Sequence, residues 1–154
     1  MTESTEPGSN ATVTHIVVGV DGSPESLYAL DLAAAIGRPQ RAELVIVHVR
    51  PTPTGFGFGP AGSIEYVQAE DELDALVTNE AATRLTGYAG RWTVTIRSGN
   101  VGRELLAVAD EAGADLVVLG HVSHGTVHDT LLGSVASNVV HRSRRSVLVA
   151  IPPA

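Results

Sequence analysis

Short uninterrupted apolar runs alternate along this chain with longer stretches in which apolar residues recur every three or four positions. The runs are His15-Ile16-Val17-Val18-Gly19-Val20, Leu44 to Val49, Trp92 to Ile96, Leu116 to Leu119 and Ser146 to Ile151. Runs so short and rich in β-branched residues predict strands buried on both faces, except that Trp92 to Ile96 alternates. Between them the spacing predicts four helices. Ser23 is placed to cap the first, with Pro24 at its first position, Leu27, Leu30, Ala33 and Ala34 inside it, and Gly37 and Pro39 at its end. The second runs from Glu65 to about Thr86, with Ala69, Leu73, Leu76, Val77, Ala81 and Leu85 on one side and Glu70, Asp71, Glu72 and Asp74 on the other. Val101, Leu105, Val108, Ala109 and Ala112 mark the third, ending at Gly113, and the fourth covers Ser134 to about Arg142. The Gly- and Pro-rich residues 51 to 63, which include Phe56 and Phe58, predict a long flexible loop.

Five strands alternating with four helices predict an α/β fold, a parallel sheet covered on both faces. In such sheets a ligand binds beyond the carboxyl ends of the strands, where the strand order reverses. The loops after Val20, Val49 and Leu119 are therefore the ones to inspect. With 154 residues, 44% hydrophobic and 18% charged, the chain is expected to form one domain, residues 14–154, behind a disordered leader, residues 1–13.

Charge and composition narrow the chemistry. A formal net charge of -7 disfavours sequence-independent binding to nucleic acid or to an anionic membrane, since both need clustered cations. All ten basic residues are arginine, so a lysine-bearing phosphate loop and Schiff-base chemistry are excluded. The absence of cysteine removes disulfides and thiol nucleophiles, and no run approaches a membrane span, so the expected location is the cytoplasm. Arg142, Arg144 and Arg145 suit the negative end of the fourth helix, and Trp92 and His48 read as core residues, the histidine with one hydrogen bond.

The most chemical feature is Gly120, ending an apolar run, followed thirteen residues later by Gly133-Ser134 opening a helix. Backbone N–H groups at a helix N-terminus cradle anions, and glycine lets a ligand approach the main chain. The bland alternative is a turn and cap. Asp21 likewise reads as a ligand contact or as a turn residue bonding nearby backbone. His121, His124 and His128 crowd the loop after Gly120, where they read as solvated residues ahead of a metal site, for want of a completing ligand set.

Taken together, Val18-Gly19-Val20-Asp21-Gly22-Ser23, His48-Val49, Gly99 and Gly120-(x12)-Gly133-Ser134-Val135 resemble the universal stress protein family, over nearly all of His15 to Ile151. The resemblance implies a Rossmann-like, adenine nucleotide alpha hydrolase-like fold, doubly wound with strand order 3-2-1-4-5, and a homodimer formed through the last strand. It further implies binding of ATP, with or without Mg, or of cyclic AMP as a regulatory ligand in the stress response; no catalytic residues are expected, because the sequence holds no lysine-bearing phosphate loop, Gly-x-Ser-x-Gly elbow or recognisable triad, and slow hydrolysis of ATP stays open. The contacts it carries over are Gly19, Asp21, the Val49 main chain, Gly120, Ser123, Gly133, Ser134 and Val135. The family pattern G-x2-G-x9-G-[ST] has Ser123 where its second glycine belongs. A non-glycine residue at positive φ loses roughly 1–2 kcal/mol, about tenfold in affinity. That substitution keeps a second expectation open: a dimeric interaction module of the same fold that does not bind nucleotide. An enzyme with a second substrate is a third reading, for which no residue set speaks.

Overall fold

Strand and helix alternate from His15 to Ala150: β1 (His15–Gly19), α1 (Pro24–Gly37), β2 (Glu43–Pro51), α2 (Pro60–Arg84), β3 (Trp92–Gly99), α3 (Val101–Ala112), β4 (Leu116–Gly120), α4 (Ser134–Arg142) and β5 (Ser146–Ala150). This computed structural model describes residues 11–51, 60–121 and 133–154. All four strand pairings are parallel, in the order β3-β2-β1-β4-β5. The central strand β1 sets Ile16 opposite both Leu44 of β2 and Leu116 of β4.

The continuous apolar character of β1 follows from that position. Ile16 and Val18 point into the layer shared with α1 and α2, while Val17 points into the layer shared with α3 and α4. All three are buried. Edge strand β3 follows the alternation of its sequence only as far as Val94: Thr95 is half-buried as well and Ile96 is exposed, while Trp92 and Val94 pack against the α1–α2 layer from that edge. At the amino ends of the central strands, Asp115 Oδ2 accepts from the backbone N–H groups of Thr14 (2.8 Å) and His15 (3.0 Å). Val13, the last residue of the expected leader, packs on the core, and its carbonyl accepts from Gln40 Nε2 at 2.6 Å.

Two features depart from the sequence reading. The expected loop over residues 51 to 63 is shorter, because β2 continues to Pro51 and α2 starts at Pro60. Proline at a first helical position loses no intrahelical bond, so it starts a helix as readily as it breaks one. The second departure is the facing of α2. Ala69 and Leu76 are exposed, whereas the side chains of Glu70 and Asp74 are only 17% and 18% exposed. They gather on Arg50 of β2, whose Nε donates to Asp74 Oδ2 (3.0 Å) and whose Nη2 donates to Asp74 Oδ2 and to Asp71 Oδ1 (2.9 Å). Charge dominates the hold on the amino half of α2, while the carboxyl half packs through Val77 and Ala81, with Leu85 just past its end, and pairs Arg84 with Asp31 of α1.

Candidate functional site

The carboxyl ends of β1, β2 and β4 open onto a cleft of about 390 Å³, within the range of small-molecule sites. It lies where β1 sends one connection toward β2 and where β4 lies on its other side, the switch point of a doubly wound sheet. The walls bring together Gly19, Asp21, Val49, Gly120, Gly133, Ser134 and Val135. Of the expected contacts only Ser123 falls elsewhere, outside the described residues. His124, His128, Phe56 and Phe58 also lie outside them. His121 extends β4 by donating its backbone N–H to Ala150 O at 2.8 Å.

The β1–α1 turn satisfies its own polar groups. The Ser23 N–H donates to Asp21 Oδ1 (2.9 Å), Ser26 N–H donates to Ser23 Oγ (3.2 Å), and Ser26 Oγ–H donates to Ser23 O (2.9 Å). Burial alone would raise the Asp21 carboxyl, but the bonds from Ser23 and Ser26 outweigh it and hold the group below its ordinary value. Asp21 is thus a turn residue and a cleft residue at once.

α4 has the opposite character. Its cap, Gly133, makes no side-chain hydrogen bond, and its first turn carries no acid, while His141 and Arg142 occupy the last turn. The N–H groups of Ser134, Val135 and Ala136 have no intrahelical acceptor by the geometry of a helix start. By contrast α1 and α3 are capped by Ser23 and Asn100 and carry Glu25 and Glu104 in their first turns. Among the described residues, the cleft therefore meets at α4 a helix N-terminus that no side chain caps, a place suited to an anion.

The two strand-end glycines serve packing. A Cβ on Gly120 would lie 2.5 Å from the Glu25 carbonyl carbon and oxygen, and one on Gly19 would lie 2.8 Å from Leu119 Cδ2. Gly120 therefore faces α1 with the side on which a side chain would stand, and its part in the cleft is limited to main chain. Leu73, Leu105 and Ser26 also line the walls and were not singled out by sequence. Leu105 and Leu73 carried only a core signal, from their helical spacing.

The family model for universal stress proteins matches residues 12–150. The chain belongs to the universal stress protein family. Universal stress protein YxiE of Bacillus subtilis is 31% identical over 142 residues, covering 87% of this chain and 96% of that one. Among solved structures, universal stress protein UspA of Lactobacillus plantarum aligns with a TM-score of 0.76 at 25% identity, over 92% of this chain and 99% of that chain. A universal stress protein solved in complex with cAMP aligns with a TM-score of 0.62 at 30% identity, over 92% of this chain and 98% of that chain. These likenesses agree with the five-stranded parallel order observed here. Among the described residues, no helix of this family member is long and apolar enough to cross a membrane.

Proposed function

We propose that this universal stress protein binds an adenine nucleotide, ATP or cyclic AMP, as a regulatory ligand in the cleft at the carboxyl ends of β1, β2 and β4. The observation that carries the reading is the convergence of the open N-terminus of α4 with the ends of three strands on one cavity. The phosphates sit at the N–H groups of Ser134 and Val135 and the Ser134 hydroxyl, with Gly133 and Gly120 as main-chain neighbours. The Val49 main chain and Gly19 border the base, and Asp21 accepts from a ribose hydroxyl. The cAMP complex of a relative at 30% identity supports the ligand class. Binding and release, rather than turnover, is the role this arrangement suits. The protein works as a homodimer through β5, an edge strand whose Val147, Leu148 and Val149 are half-buried and whose neighbour Ile151 is 67% exposed.

Mass spectrometry of the purified protein, then calorimetry with ATP and with cyclic AMP, tests the reading. Saturable binding is expected. Its absence at millimolar nucleotide would replace this reading with that of the dimeric interaction module, for which Ser123 in the glycine pattern speaks.

A further inference from the structure

His48 is only 2% exposed, lines the cleft from β2, and has no role in holding the ligand as described above. Its ring touches two acceptors. Nδ1 lies 2.9 Å from the carbonyl oxygen of Val20, at the end of β1, and Nε2 lies 3.6 Å from Asp74 Oδ1 on α2. A carbonyl only accepts, so Nδ1 must carry a hydrogen. In a neutral ring Nε2 is then a bare lone pair turned toward a carboxylate oxygen.

That oxygen is itself stranded. Asp74 Oδ1 is buried without a hydrogen-bond partner, while Oδ2 takes the donors of Arg50. A ring with hydrogens on both nitrogens serves Val20 and Asp74 together, and no neutral tautomer does. The charged groups around the ring agree. Asp74 faces it from α2, Glu70 and Asp71 of the same helix join Asp74 on Arg50 of β2, and Asp21 follows Val20 with its carboxylate on the Ser23 N–H. Three carboxylates share one guanidinium there, so a second cation complements the cluster. From β3 the residue in register with His48 is Ile96, which is uncharged.

We infer that His48 is a positioning residue of the cleft: as an imidazolium it ties the end of β1, through Val20, to α2, through Asp74, and loss of the Nε2 proton loosens α2 from the cleft wall. The adjacent residue, Leu73, lines the cleft, so a shift of this helical turn changes the cavity. Among the described residues, the amino half of α2 is also tied by Arg50 and by the Tyr66 hydroxyl, which donates to Pro51 O at 3.1 Å. The hold strengthens as pH falls and weakens as pH rises. The protonation and the hold on α2 stand apart from the nucleotide proposal, and only the effect on ligand affinity rests on it.

Two-bond proton–nitrogen correlation spectra of the imidazole rings, recorded on the full chain between about pH 5.5 and 8, read the ring directly. The His48 signal is assigned by its loss in His48→Gln. Protons on both nitrogens at the acid end, with Nε2 losing its own as pH rises, are expected. A neutral Nδ1–H tautomer throughout overturns the inference. Hydrogen exchange of residues 70–78, corrected for intrinsic pH dependence, is expected to quicken about tenfold over the same window. Asp74→Asn supplies an amide donor to the neutral ring while keeping an acceptor for Arg50, so its exchange should lose the pH dependence. Retention of the dependence in that variant would also overturn the inference. ATP calorimetry at both ends of the window separates the two proposals: a titrating ring without nucleotide binding sinks the function alone, and pH-independent binding beside a neutral ring sinks the inference alone.

Discussion

A methyl group added at Gly120 would meet the Glu25 carbonyl at 2.5 Å and the Ser26 nitrogen at 2.7 Å, backbone atoms of the first turn of α1 that cannot rotate aside. Gly120→Ala is therefore expected to destabilise the fold by about 1–3 kcal/mol, the usual cost of overpacking, measured as a lowered urea midpoint at unchanged slope. A midpoint equal to wild type would mean that α1 yields. The position of Gly120 was legible from its place after an apolar run and its distance to Gly133-Ser134. The reason for the glycine was not, because the approach of α1 to the end of β4 is a tertiary fact with no local signature. His48 shows the same limit: its burial and one hydrogen bond were expected from its place in a strand, but Val20 lies at the end of the next strand and Asp74 on a neighbouring helix, and nothing in the pattern announces that either meets the ring.

Among the helices, α4 offers the cleanest test of the cleft. Gly133 has φ -54° and ψ 159°, the extended conformation that a residue before proline prefers, and Ser134 is the first helical position. Ser134→Pro thus removes a backbone donor and a hydroxyl without breaking the helix. Nucleotide affinity is expected to fall about tenfold or more, the loss of one or two bonds to a charged group, with thermal stability held within a few degrees. Affinity unchanged in calorimetry would remove α4 from the site. The elements were legible wherever apolar spacing was strong, and Gly113 ends α3 in the left-handed conformation its identity suggested. The start and facing of α2 were not, since its amino half is oriented by Arg50 gathering Glu70, Asp71 and Asp74 rather than by an apolar stripe.

For the molecule as a whole, acid should act through carboxylates that the fold holds in ionised form. The Thr14 N–H, followed by the His15 N–H and the Thr14 hydroxyl, keeps Asp115 below its ordinary value of 3.8, and the bonds from Ser23 keep Asp21 below it against the effect of burial. Groups with lowered folded values add stability above the unfolded value, and that stability is lost as pH falls through the folded values. The urea midpoint is expected to drop as pH is taken below about 4, less steeply in Asp115→Asn. Because Asp115 is exposed, its share is under about 1 kcal/mol. An equally steep loss in the variant would assign acid sensitivity to other groups.

Asp115 also joins residues a hundred positions apart, and β1 is paired on one side to β2 and on the other to β4. During synthesis, a nascent chain that has not yet emerged past β4 leaves the middle strand with one naked edge and the cleft missing a wall. Closing the middle of the sheet therefore needs most of the length to be translated first, and until then apolar strand surface stays uncovered.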